Sequence, residues 1–337
     1  MRDLLHNARR SLERKVKGSP TSRAAFYRLR GAIHAARVKV SEARNGHPDQ
    51  ILSGPNPGNV VWIFCTSRSG STWLRNMMRD LTDCEVWEEP KVGQLFGGFY
   101  DRALEGQLGS TNFVMGDPTR RVWMRALRNF VLDTARASHP NLTPSQHLVV
   151  KEPDGAIGAP LLMQALPESR MVFLIRDPRD IAASALDAHQ EGNWMRTSHG
   201  TSRPGKGVSA ERPEAFVRKR AVNYLKHMTK ARDAYQAHDG RKTLVRYEDL
   251  RSDPLGTMRR VCRELGVPVD DEALVQAVER YSWERLPESE KGKGRFYRKG
   301  TPGGWREDLT NRQARIVEEV TAPLLREFYP DESQPRP

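Results

Sequence analysis

The chain has 337 residues, with 55 Lys and Arg against 42 Asp and Glu, a formal net charge of +13 and three cysteines. No run approaches the ~20 apolar residues needed to cross a bilayer, no signal-peptide pattern precedes the basic start, and three cysteines outside metal-ligand spacing exclude a disulfide framework or a zinc module. The charge invites a nucleic-acid reading, but basic residues are spread along the chain and no helix-turn-helix, zinc-finger or RNP pattern occurs.

Residues 1 to 50 carry Arg and Lys throughout, with apolar residues at loose helical spacing, and are expected to form a basic helical extension. Such a segment can pack on the domain, touch an anionic membrane or meet a partner. A Gly/Pro/Asn stretch from Asn45 to Asn59 reads as the linker into a domain spanning 51 to 330. About 280 residues suffice for one large α/β unit with an ample core.

Val60 to Cys65 is a continuous apolar run, as expected of a strand buried on both faces of a parallel sheet. The turn after it, Thr66-Ser67-Arg68-Ser69-Gly70-Ser71-Thr72, can aim backbone N–H groups, hydroxyls and the Arg68 charge at an anion where a helix begins. It lacks the first glycine and the lysine of GxxxxGK[ST], which disfavours an ordinary P-loop kinase. The next segment of interest, CEVWEEPKVGQLF (84 to 96), carries the carboxylates Glu88 and Glu89.

A strand is predicted near 148 to 151, ending in Lys151 ahead of Glu152, and a helix over 157 to 166. Strand 171 to 175 ends in Arg176, and Asp-Pro then opens a helix over 178 to 188, where Pro178 suits the first turn. Ser184 lies eight residues after Arg176, about two turns up the helix, so both can reach one phosphate. Glu191 to Arg212 is a Gly-, Ser- and Arg-rich stretch with the character of a lid or binding loop.

Helices are predicted over 213 to 237, 254 to 265 and 310 to 328, with a strand over 243 to 247. Arg298, Lys299 and the Gly300 to Gly304 turn form a third phosphate-suited segment. Residues 331 to 337 are expected to be a disordered tail. His139, His147, His189 and His199 sit among polar neighbours, are expected at the surface and receive no role. Strands alternating with helices predict a parallel sheet covered on both faces, with its ligand at the strand carboxyl ends.

Four of these segments resemble, in order, the motifs of sulfotransferases that use 3′-phosphoadenosine 5′-phosphosulfate (PAPS). TSRSGSTWL (66 to 74) is similar to their 5′-phosphosulfate loop, IRDPRDIAAS (175 to 184) to their 3′-phosphate motif, VRYEDLRSDP (245 to 254) to their YEDL segment and RKGTPGGWRE (298 to 307) to their RKGxxGxWK segment. The resemblance spans about 58 to 328 and implies a P-loop-NTPase-like sulfotransferase fold.

It further implies that Arg68, Ser69, Gly70, Ser71 and Thr72 hold the 5′-phosphosulfate, and that Arg176, Ser184, Arg298, Lys299 and Gly300 hold the 3′-phosphate. Trp73, Tyr247 and Trp283 fall where the family contacts adenine; core packing is the plain alternative. PAPS would be the sulfuryl donor and 3′-phosphoadenosine 5′-phosphate (PAP) the product, with no metal expected. Arg68 and Lys151 are the expected cations at the leaving phosphate.

Many cytosolic members follow that lysine with a His base, whereas this chain reads Lys151-Glu152-Pro153-Asp154. The 84 to 96 segment resembles the Glu-bearing segment of tyrosylprotein sulfotransferases, which makes Glu89 the expected base, with Glu88 and Glu152 as substitutes. The acceptor class stays open among small molecules, glycans, lipids and peptides. A cytoplasmic location is expected, with peripheral membrane contact through the basic N-terminus and a homodimer left open. The rival readings are a P-loop kinase-like phosphotransferase dependent on ATP and Mg²⁺, and a basic nucleic-acid-binding protein without sequence preference.

Overall fold

The structure is a computed structural model that describes residues 55–81, 83–109, 112–189, 213–295 and 297–330. The predicted basic extension, the 191 to 212 loop with His199, and the 331 to 337 tail lie outside the described residues.

Five parallel strands form one sheet in the order β2-β3-β1-β4-β5. They are β1 (Val60–Cys65), β2 (Cys84–Glu88), β3 (His147–Pro153), β4 (Arg170–Ile175) and β5 (Lys242–Arg246). Every residue of β1 is buried, as its unbroken apolar run requires of a central strand. Its alternation of side chains feeds two cores. Trp62 and Phe64 join Leu127, Phe173, Tyr224 and Met228 on one face. Val61, Ile63 and Cys65 join Leu74, Met77, Val261 and Leu274 on the other.

The first face is covered by α2 (Val92–Gln107), α3 (Arg120–Ser138), α4 (Ala159–Ala165), α6 (Pro213–Ala237) and α11 (Asn311–Phe328). The second is covered by α1 (Ser71–Arg79), α8 (Pro254–Leu265) and α9 (Asp271–Arg280). The remaining helices are α5 (Pro178–Ala188), α7 (Tyr247–Ser252) and α10 (Trp305–Asp308). β1 has β3 on one side and β4 on the other, so connections leave it in opposite directions. That switch point opens a crevice at the strand carboxyl ends, where a ligand is expected in an open α/β sheet.

Among the described residues the predicted strands and helices are all present, with two kinds of difference. Tyr247, expected to close a strand, instead opens α7, with Glu248 and Asp249 in its first turn. β2, α2 and α3 were not separated by the sequence patterns. β2 is an edge strand of mixed burial, and its Glu and Cys residues mask the alternation. α3 buries Trp123, Leu127, Val131 and Ala135, a stripe spaced by four that arginines interrupt.

His147, expected at the surface, is buried. Its Nε2 lies 2.7 Å from Arg170 Nη1, whose guanidinium also donates to the carbonyls of Gly58, Leu265 and Gly266. Burial and the Arg170 charge push the imidazole down to about 4, so it stays neutral and accepts. This node ties β3, β4 and the end of α8 together below the crevice.

α2 is held against the 155–158 turn at backbone distance. A Cβ on Gly97 would lie 2.3 Å from the Gly158 Cα, and one on Gly93 2.2 Å from the Gly155 carbonyl oxygen. Only glycine permits that approach, and it sets the amino end of α2 over the Glu152 carboxylate.

Candidate active site

The turn from Thr66 to Gly70 passes from β1 into α1 with Arg68 at φ 74° and Gly70 at φ 89°. A non-glycine residue held in the left-handed region marks backbone that the surroundings over-determine. A Cβ on Gly70 would sit 2.5 Å from Tyr247 Cδ2. Gly70→Ala is therefore expected to lower the thermal unfolding midpoint, at a cost of about 1–3 kcal/mol.

Three sequence-distant segments meet at this turn. Arg68 donates from Nε to Ser184 Oγ at 2.9 Å, and Arg176 donates from Nη1 to the Arg68 carbonyl at 3.0 Å. Burial and then the charges of Arg176 and Arg298 push the Arg68 guanidinium down to about 10. Arg68 thus lies against both Ser184 and Arg176, and like charges nearby disfavour the charged form.

The late segment is clamped there by Asp180, a fully buried carboxylate on α5. It accepts from the backbone N–H of Gly303 at 2.8 Å and of Trp305 at 2.9 Å, and its Oδ2 lies 3.6 Å from Arg176 Nη2. Arg298 pairs with Asp308, and Lys299 Nζ lies 2.7 Å from Glu307 and 3.1 Å from Asp308. The Trp283 ring packs over Gly300, whose carbonyl accepts from Arg251 Nε at 2.9 Å.

Aromatic faces lie beside the cations. The Arg176 guanidinium stands 4.1 Å over the Tyr247 ring, and Trp73 meets Tyr247 edge-on at 6.3 Å. Trp73 Nε1 and Arg176 Nε are buried without an acceptor among the described residues. Buried donors lacking an acceptor, next to three guanidiniums, fit a polyanion with a flat ring.

The second half of the crevice lies at the ends of β2 and β3. Registry pairs Glu88 with Lys151. Lys151 Nζ is 2.7 Å from Glu89 Oε1, 3.4 Å from Glu88 Oε1 and 3.3 Å from Thr72 Oγ1. The lysine thus links both acids to Thr72 at the start of α1. Glu89 adopts φ 51° and donates its N–H to the Lys151 carbonyl.

The three carboxylates differ in access. Glu89 is 44% exposed, Glu88 is 28% exposed and held by Arg75 Nη2 at 2.7 Å, and Glu152 is 1% exposed. Glu152 Oε1 accepts from the Val92 N–H at 2.9 Å, capping α2. That geometry suits Glu152 to positioning the Lys91-bearing end of α2.

Burial pushes Glu152 up to about 7, opposed by the backbone N–H groups of Val92 and Gly93 and aided by the Glu89 charge. Because the folded value exceeds the unfolded one, this contribution to stability is complete below about 4.5 and lost as pH rises through about 7. Urea unfolding should show wild type losing up to about 3 kcal/mol from this group between pH 4.5 and 8. Glu152→Gln should flatten that slope.

Arg75 and Arg220 were not singled out by their sequence context. Arg220, on α6, donates from Nη2 to Ser67 Oγ at 2.9 Å, in the turn between β1 and α1. Neither residue lies in a recognisable motif; the only available signal for Arg75 was its place one turn inside a helix that starts at the turn. Among the described residues there is no His/Cys/Asp/Glu group able to hold a metal and no helix long and apolar enough to cross a membrane.

The comparisons with known proteins agree with this layout. Cytosolic sulfotransferase 16 of Arabidopsis thaliana is 27% identical over 173 residues, 44% of this chain and 48% of that protein. The chain spans about half the length of the curated relatives it matches. Two solved structures share the fold: mouse sulfotransferase SULT7A1 complexed with PAP (TM-score 0.51, 13% identity, covering 80% of this chain and 85% of that one) and sulfotransferase STF9 from Mycobacterium avium (TM-score 0.52, 14% identity, 87% and 81%). The model of the Sulfotransferase family matches residues 61–271, which include the turn after β1, the acids and lysine at the ends of β2 and β3, and Arg176 with Ser184. With that match over more than half its length, the chain belongs to the sulfotransferase family.

Proposed function

We propose that the protein transfers the sulfuryl group of PAPS to a hydroxyl or amine of an acceptor by in-line displacement, releasing PAP. The observation that carries this reading is the meeting of three separate segments: Arg68 donates to Ser184, Arg176 donates to the Arg68 carbonyl, and Asp180 beside Arg176 holds the Gly303 and Trp305 N–H groups of the segment that bears Arg298. A nucleotide with anions at both ends of its ribose matches cations gathered beside aromatic faces. The bound PAP of the mouse neighbour supports the same ligand class.

Arg68, Ser69, Gly70, Ser71 and Thr72 take the 5′ end, and Arg176, Ser184, Arg298, Lys299 and Gly300 the 3′-phosphate. Trp73, Tyr247 and Trp283 contact the adenine. The acceptor oxygen attacks sulfur as the bond from sulfur to the 5′-phosphate oxygen breaks. Glu89 takes the acceptor's proton, and Lys151 and Arg68 steady the charge left on the phosphate.

The 2.7 Å contact between Lys151 and Glu89 couples these two roles. As charge builds on the leaving oxygen, Lys151 Nζ, which already contacts Thr72, can turn toward the phosphate and free the Glu89 carboxylate for the acceptor's proton. Lys151→Met is expected to lower kcat by roughly 10²-fold or more with little change in PAP affinity. Single-turnover assays with labelled PAPS test it; an unchanged rate would remove Lys151 from the reaction.

A further inference from the structure

Six large apolar side chains stand exposed among the described residues, and five of them, Leu95, Phe99, Val114, Val122 and Phe130, belong to α2, α3 and the chain between. Leu95 and Phe99 are neighbours one turn apart on α2. Phe99 meets Phe113 with ring centroids 6.1 Å apart, and Phe96 meets Phe130 edge-on at 5.2 Å. These contacts join α2, the 113–114 segment and α3 into one surface. Val114 is 72% exposed and Leu95 57%, far more than a core residue at a seam.

Cations are interleaved with the apolar groups. Lys91 just before α2, Arg102 on α2, and Arg121 and Arg125 on α3 are exposed and make no ion pair among the described residues. Nearby acids are engaged by other cations: Asp101 by Lys226 and Lys230, Glu88 and Glu89 by Lys151, Asp117 by Arg120 at 3.8 Å and Asp133 by Arg136 at 2.8 Å. Apolar groups among unpaired cations form the pattern that seats a protein on anionic lipid.

We propose that this face docks on an anionic bilayer, with Leu95, Phe99, Val114 and Phe130 entering the boundary between headgroups and acyl chains and the arginines meeting lipid phosphates. Charge decides the occupant. A second copy placed face to face would oppose its own cations to these, since a two-fold contact pairs the same patch. Residues 1 to 50 of this chain are basic as well. An acidic plane is complementary. Val92 opens α2 three residues after Glu89, so docking would bring the lipid surface beside the acid of the crevice.

The test is vesicle flotation of the full chain with phosphatidylcholine alone and with about 30 mol % phosphatidylserine added. Wild type should float with the anionic vesicles and not with the neutral ones. Leu95→Ser with Phe99→Ser, and separately Arg121→Glu with Arg125→Glu, should each lower the bound fraction about tenfold. Melting temperature and PAP affinity should stay at wild-type values in both, which separates failure of docking from failure of the fold or of the donor site. Binding retained by both variants would assign the membrane contact to residues 1 to 50 and overturn the proposal. So would absence of binding to anionic vesicles, or a dimer in light scattering that Phe99→Ser abolishes.

Discussion

Glu89→Gln is expected to lower turnover by roughly 10²–10⁴-fold, the usual range for loss of a general base, while leaving PAP affinity unchanged. Three features of the site set this expectation. Glu89 is the most exposed of the three acids and so the one an acceptor can reach. Its backbone is held at φ 51°, and its carboxylate rests on Lys151, which also contacts Thr72 of the anion-facing turn. Gln preserves the size and one acceptor oxygen, so the fold and the donor site should tolerate it.

The same substitution at Glu88 should act differently. Its carboxylate is engaged by Arg75 as well as Lys151, so Glu88→Gln loosens a charged hydrogen bond and is expected to cost about tenfold or less. If Glu88→Gln inactivates the enzyme and Glu89→Gln does not, the two acids exchange roles. A pre-steady-state measurement with donor and acceptor both saturating makes the comparison free of either affinity.

Arg68→Gly is expected to abolish donor binding and yet raise the thermal unfolding midpoint. Arg68 is penalised twice in the folded chain. Its charge is pushed down to about 10 by burial and by Arg176 and Arg298, and its φ of 74° lies where only glycine rests without strain. Because the folded value lies below the ordinary 12.5, the charged form is disfavoured throughout the pH range below 10. Lost contacts to Ser184 offset part of the gain. A net gain of about 1–2 kcal/mol, or a few degrees, is expected for the ligand-free protein, with PAP losing at least about 100-fold in affinity. Stability surrendered for function is the usual mark of a binding site, and a variant both less stable and fully PAP-competent would contradict this account of the turn.

Much of the crevice was legible because its chemistry is local. The apolar run before Thr66, the Asp-Pro step that sets Pro178 at the first position of α5, and the eight-residue spacing of Arg176 and Ser184 all act within one strand-turn-helix unit. Asp177 caps that helix by accepting from the Arg179 N–H at 2.7 Å, as an acid before Pro predicts. The glycine-rich stretch near 300 was recognisable from composition, but its partner Asp180 was not, since a buried acid holding two N–H groups more than 120 residues away has no local signature.

What escaped was set by tertiary packing. β2 is half-exposed, so its apolar residues do not alternate cleanly against its charges. The α3 stripe was present in the spacing of Trp123, Leu127, Val131 and Ala135 but diluted by five arginines between 120 and 136. His147 looked polar in sequence and is buried because Arg170 supplies its partner. Tyr247 continued an apolar strand in sequence, whereas the acids after it, stabilising at a helix start, were the signal that a helix begins there.

The most direct test of the polyanion site is titration calorimetry of the full chain with PAP and with ATP plus Mg²⁺, repeated for Arg68→Gly, Arg176→Met and Arg298→Met. The account predicts one PAP bound per chain without metal, and a marked loss of affinity in each of the three variants although the residues come from segments more than 100 positions apart. Heat from ATP plus Mg²⁺ with none from PAP, or PAP binding indifferent to all three arginines, would contradict it.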